Sequence, residues 1–248
     1  MVRFYREDLR ARGMTSPPNL SNFAINVINS LSTGLNRPVS VLDVGCGSGN
    51  QMQRIVDNIG IDKFSHRAGV DWSANAVELL GNKSTFDRVV HCQSSRLPFT
   101  DQEFDVAMSI ENLEHLYYEQ VIPAIEELKR VARYVILITP LPQDVINQQW
   151  LGMEIPLAEA DTETVDYPEY LVLEGTVHKS TVYRSSMVDA GFDISQADSH
   201  GFYFAESSNI NTSAIKVCGI NSVSVPADAD NYNAYYVNLL HKSKNLTV

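Results

Sequence analysis

The sequence predicts a doubly wound α/β fold with a mostly parallel sheet. Three observations carry that expectation. Short apolar runs alternate with amphipathic segments along the first 140 residues, the pattern of right-handed strand–helix crossovers. The first such run ends in the glycine-rich turn Gly45-Cys46-Gly47-Ser48-Gly49. The second ends at Asp71, the ~20-residue separation at which an acid after the next strand reaches a ribose.

The elements are expected in this order. Leu20, Phe23, Ala24, Val27, Ile28 and Leu31 recur at helical spacing and make one apolar stripe on a helix of about three turns. Gly34 and Pro38 end it. A buried strand is expected over Val39–Val44, a helix over Asn50–Ile59, a strand over His66–Asp71 and a helix over Ala74–Leu80. Strands follow at Arg88–Cys92 and Phe104–Ile110, then a helix ending near Val131 and a strand at Tyr134–Thr139 that stops at Pro140. Leu141–Val177 breaks the rhythm with Pro142, Pro156 and Pro168, and a segment of that length between regular elements reads as a lid or binding loop. A helix is expected over Thr181–Ala190, and YNAYYVNLL in the tail alternates like a last, antiparallel strand. Ser207–Asp230 is polar and takes no assignment. One domain is expected over 1–248, with residues 1–36 as an N-terminal helical cap and 141–177 as a substrate lid.

The bulk numbers narrow the function. The chain has 248 residues, 44% hydrophobic and 20% charged, and carries 30 acidic against 19 basic residues for a formal net charge of −11. A surface that neutralises phosphates needs a basic stripe, so this balance argues against a nucleic-acid partner. Arg3, Arg6, Arg10 and Arg12 cluster at the N-terminus; they read as a solvated helix face or as an arm closing over an anionic ligand. Three cysteines, Cys46, Cys92 and Cys218, lack paired spacing and suggest reduced thiols in a cytoplasmic protein. No run approaches the ~18 apolar residues of a membrane span.

Gly45, Gly47 and Gly49 leave no side chains where the strand turns into the helix, so a ligand can approach the backbone. Asp43 near the strand end is placed to pair with a cationic amine. A plain tight turn is the simpler reading. A nicotinamide site would carry G-x-G-x-x-G, and here the third glycine is one position early. Asp71 is a candidate acceptor for both ribose hydroxyls, or an N-cap, with Ser73 competing for that role.

VLDVGCGSGN, GVDWS, LPFTDQEFDVAMSIENLEHL and ITP together resemble the successive motifs of class I S-adenosylmethionine-dependent methyltransferases, in the branch of the ubiquinone-type O-methyltransferases. The similarity covers roughly Val39–Pro140 and, more loosely, His178–Phe192. It implies a Rossmann-like, seven-stranded sheet and S-adenosylmethionine as cofactor. It places Asp43 at the methionine amine, Gly45, Gly47 and Gly49 in the cofactor loop, and Asp71 on the ribose. Gln93, Ser94 and Ser95 fall where the family contacts adenine, with Gln93 at a position often held by Asp. Trp72 would lie against the adenine face or pack in the core.

Methyl transfer from a sulfonium needs acceptor, methyl and sulfur in line, and a hydroxyl acceptor also needs a base or a metal. Glu111, Glu114 and His115 have E-x-x-E-H spacing, which on a helical turn puts all three on one face. The resemblance implies that they, with His178, hold Mg²⁺ or Mn²⁺ beside the acceptor. A metal-free base, His115 or His178, and a structural role stay open beside it. His66, His91, His200 and His241 show no comparable partners. Trp150, Met153, Ile155, Tyr167 and Tyr170 would line the acceptor pocket or form a satellite core under the loop. The expected reaction is methylation of a small-molecule acceptor, most simply at oxygen. A metal-independent N- or C-methyltransferase, a nicotinamide-dependent oxidoreductase and a non-catalytic cofactor-binding subunit are the alternatives.

Overall fold

A computed structural model describes residues 20–81, 84–116, 118–141, 180–197 and 200–219. The N-terminal arginines, the lid with its five apolar lining residues, His178 and the YNAYYVNLL segment lie outside the described residues.

Helix α1 (Leu20–Leu35) leads into β1 (Val39–Val44), α2 (Asn50–Ile59), β2 (Phe64–Asp71), α3 (Ala74–Leu80) and β3 (Arg88–His91). Then come β4 (Phe104–Ile110), α4 (Tyr118–Val131), β5 (Ala132–Pro140), β6 (Ser180–Val182), α5 (Arg184–Asp189), β7 (Asp193–Ala197), β8 (His200–Glu206) and β9 (Val217–Gly219). Seven strands form one sheet in the order β3-β2-β1-β4-β5-β8-β7. The first five run parallel. β8 is antiparallel to both β5 and β7. The order reverses at β1, which pairs with β2 on one side and β4 on the other. Ligands in open sheets bind beyond the carboxyl ends at such a point.

The period-two alternation of the strands divides the core. Val39 and Val41 of β1 and Ile136 and Ile138 of β5 pack with Leu20, Ala24, Ile28, Met52 and Ile55 of α1 and α2. Leu42 and Val44 of β1 and Val135 and Leu137 of β5 pack with Val121, Ile125 and Leu128 of α4 on the other face. Each such aliphatic side chain contributes about 1.5–3 kcal/mol when fully buried. At the amino edge, Arg37 grips Asp105 through two contacts of 2.8 and 2.6 Å, and Ser40 N donates to Asp105 at 2.9 Å. That fork ties β1 to β4 at the end of the sheet opposite the glycine loop.

One expectation is corrected. Thr181 and Val182 begin no helix: they belong to β6, which pairs antiparallel with β9, and the helix starts at Arg184. Both are β-branched and fully buried, and the Thr181 hydroxyl donates to Pro140 O at 2.5 Å, all of which favour an extended backbone. Among the described residues the antiparallel edge of the main sheet is β7 and β8, within 193–206.

Candidate functional site

The carboxyl ends of β1, β2, β3 and β4 converge at the switch point. Backbone hydrogen bonds curl the loop after β1 tightly. Gly45 N and Cys46 N both donate to Val70 O, at 2.9 and 3.0 Å, and Gly49 N donates to Cys46 O at 2.8 Å. Gly45, Gly47 and Gly49 have φ of 78°, 52° and 78°, the left-handed region that side chains strain to enter. A Cβ on Gly45 would lie 2.3 Å from Asn112 Cγ.

Asp71 fastens this loop. Its Oδ2 accepts from Gly47 N and its Oδ1 from Ser73 N, each at 2.8 Å. Ser73, not Asp71, caps α3, accepting from Ala76 N at 3.4 Å. A carboxylate oxygen has a second lone pair, so Asp71 keeps accepting capacity for a ligand hydroxyl. Asp43 is 3% exposed, and its Oδ2 has no hydrogen-bond partner. Burial, and then the charge of Asp71, push its carboxyl up to about 8. A buried, underpaired acid beside a glycine loop suits a ligand that brings its own cation. On this count the cradle fits the sulfonium cofactor, whose amino-acid end carries an ammonium.

Trp72 is 42% exposed, so core packing is not its role. Its carbonyl contacts His91 Nε2 at 2.7 Å. Gln93 is exposed, and Ser94 and Ser95 are half-buried beyond the end of β3. All four stand open enough to meet a planar ligand.

At the end of β4 the arrangement differs from the sequence expectation. Glu111 has φ 54°, and only a single 3₁₀ turn, Leu113–His115, follows it. The i, i+3, i+4 geometry of an α-helix does not apply; α4 begins at Tyr118. Glu114 is fully buried, with Thr139 Oγ1 donating to its Oε2 at 3.5 Å. Burial, then the neighbouring Glu111 charge, hold its carboxyl well above the usual range. His200 Nε2 lies 2.8 Å from Glu111 Oε1, both side chains being largely buried. Among the described residues no three His, Cys, Asp or Glu side chains are placed to hold a metal ion. Glu111, Glu114 and His115 therefore do not by themselves fit a divalent ion, and His178 is outside the described residues.

Two residues escaped the sequence reading. His200 shows no partner in sequence because Glu111 lies 89 positions away; the aromatic run Phe202-Tyr203-Phe204 is the available sign of its strand. Asn112 sits between Glu111 and Glu114, and its own type and spacing carry no motif. Its Nδ2 donates to Ser109 Oγ at 3.1 Å and Ser94 Oγ at 3.3 Å.

Residues 41–134 match the family described as a methyltransferase domain. "Probable tRNA methyltransferase 9B" of Mus musculus is 34% identical over 92 residues, which make up 37% of this chain and 19% of that protein. The Homo sapiens protein of the same name is 32% identical over 92 residues, 37% and 18% of the two chains. The chain thus spans about a fifth of the length of these curated relatives. Among solved structures, a SAM-dependent methyltransferase from Aquifex aeolicus is 18% identical, with a TM-score of 0.45 and coverage of 81% of this chain and 98% of that one. PH0226 from Pyrococcus horikoshii OT3 is 14% identical, with a TM-score of 0.47 and coverage of 82% and 93%. The matched stretch runs from β1 into β5 and contains every residue of the cradle formed by Asp43, the glycine loop, Asp71, Trp72 and Gln93–Ser95.

Proposed function

We propose that the chain is an S-adenosylmethionine-dependent methyltransferase acting on a small-molecule acceptor, in the first instance at a hydroxyl. The observation that carries this reading is the underpaired, buried Asp43 beside three left-handed glycines and the loop-anchoring Asp71, all at the topological switch point. Bound there, the cofactor supplies an electrophilic methyl group on a sulfonium. Asp43 offers its carboxylate to the ammonium. Asp71 accepts from the ribose hydroxyls, and Trp72, Gln93, Ser94 and Ser95 flank the base. The end of β4, with Glu111 and His115 just beyond it and His200 of β8 beside Glu111, faces the acceptor. Within it, His115 or His200, or His178 from beyond the described residues, takes the acceptor proton; Glu111 favours His200 by holding its ring.

The acceptor class rests on charge. A net charge of −11 disfavours a polyanion. The names of the curated relatives favour a second reading, in which the acceptor is a tRNA. Transfer of labelled methyl to a panel of hydroxylated small molecules, run beside bulk tRNA, decides between them. Label in tRNA alone would replace the small-molecule reading. Calorimetric titration with S-adenosylmethionine and with NAD separates the enzyme from an oxidoreductase, and binding without transfer to any acceptor would indicate a non-catalytic subunit.

Two results are expected. Asp71→Ala should weaken S-adenosylmethionine binding by about ten- to hundredfold, the effect of losing hydrogen bonds to a charged group; an unchanged dissociation constant in a folded variant removes Asp71 from the ribose. Metal-stripped protein should keep its methyltransferase activity, because among the described residues no three His, Cys, Asp or Glu side chains are grouped to hold a metal ion. Loss of activity on chelation, with recovery in Mg²⁺ or Mn²⁺, would return the quartet completed by His178.

A further inference from the structure

We infer that Asn112 is a positioning residue for the methyl donor, holding the loops after β1 and β3 at the spacing the donor requires; the inference rests on the methyltransferase reading above. The left-handed backbone at Glu111 is what places it. Glu111 N is still bonded to Ile138 O, at 3.0 Å, as if β4 continued, but its φ of 54° turns the chain sharply. The next side chain, Asn112, is thrown across the mouth of the cradle instead of along the sheet.

There the carboxamide touches three strand ends at once. One N–H donates to Ser109 Oγ at the end of β4, at 3.1 Å, and the other to Ser94 Oγ beyond β3, at 3.3 Å. With both donors committed, the amide is fixed in plane. It lies flat on Gly45, so close that a Cβ there would meet Asn112 Cγ at 2.3 Å and Oδ1 at 2.4 Å. Gly45 belongs to the loop that follows Asp43, and Ser94 belongs to the segment that flanks the base. One side chain therefore spans the two ends of the donor site. Ser109 is fully buried, which makes its hydroxyl a rigid post rather than a mobile surface group. A loop pair held this way needs no reordering when the donor arrives, and that pre-organisation appears as affinity.

The test compares three variants by calorimetry with S-adenosylmethionine. Asn112→Leu keeps the volume over Gly45 and forms neither bond. Asn112→Asp keeps the shape and lets both serine hydroxyls rotate to donate. Ser94→Ala/Ser109→Ala removes the posts. Asn112→Leu and the double serine variant should each bind the donor about tenfold more weakly, and combining them should add little, since they break the same bonds. Asn112→Asp should stay within about threefold of the parent protein. In turnover assays the KM for the donor should rise while the KM for the acceptor holds. Wild-type affinity in Asn112→Leu, or equal losses in Asn112→Leu and Asn112→Asp that track their melting temperatures, overturns the inference and assigns Asn112 to the fold alone. Failure of the unmodified protein to bind S-adenosylmethionine overturns the methyltransferase reading, and this inference with it.

Discussion

Gly45→Val is expected to reduce S-adenosylmethionine affinity by more than about a hundredfold, from two effects that add. The backbone φ of 78° costs an L-residue ~1–2 kcal/mol, and more when the side chain is β-branched. The new Cβ would also lie 2.3 Å from Asn112 Cγ, so the carboxamide must leave its serine partners or the loop must leave Val70 O. Neither relief restores the cradle. Gly47→Val should act in the same direction, because φ at Gly47 is 52° and its N–H anchors the loop to Asp71. Circular dichroism should show that the sheet survives, since the strand cores lie away from the loop. Binding within about threefold of the parent protein in a folded Gly45→Val variant would place the donor elsewhere.

The parallel half of the fold was legible because its signals are local. β1, α2, α3 and β4 fall on the boundaries read from apolar periodicity, and the glycine turn and Asp71 mark a strand end in their own few residues. The antiparallel half was not. β8 is placed by its pairing with β5, far back along the chain, and β7 by its pairing with β8. β6 has three residues, too few for any periodicity, and exists because Thr181 and Val182 are buried against β5 and β9. The same division runs through the site. Asp43, Gly45, Gly47, Gly49 and Asp71 announce themselves by type and spacing. The end of β4 misled: E-x-x-E-H suggests one helical face, and a left-handed Glu111 with a single 3₁₀ turn sends Glu114 into the core and Glu111 towards His200. A positive φ at a glutamate has no signature in sequence.

Asp43→Asn is expected to separate stability from donor binding. Asp43 is buried, its Oδ2 lacks a partner, and its carboxyl is pushed up to about 8 against an ordinary value near 3.8. Between those values the folded protein holds a proton that the unfolded chain releases. Its contribution to stability is complete below about pH 4 and is lost as pH rises through about 8. The charge of Asp71 adds to the effect of burial in raising the Asp43 pKa. Glu114, also raised, tilts the curve the same way, whereas Asp87 and Asp105, held low by their arginines, tilt it in the opposite sense. The difference between variant and parent isolates Asp43. The substituted carboxamide carries no charge at any pH, so the melting-temperature advantage of Asp43→Asn without ligand should widen from pH 5 to pH 8, by on the order of a few kcal/mol in stability. Donor binding should move the other way. The ammonium favours the ionised carboxylate, so binding releases a proton, and affinity of the parent protein should rise from about pH 6 to about pH 7.5. That range stays below the ~7.7–8.0 at which an α-amino group itself deprotonates. Asp43→Asn should bind at least about tenfold more weakly at about pH 7.5, with an affinity that is flat across the range. Equal affinity in parent and variant at that pH would take Asp43 away from the ammonium. A melting-temperature gap that stays constant with pH would mean that Asp43 is ionised in the folded protein and paired with a group already in it.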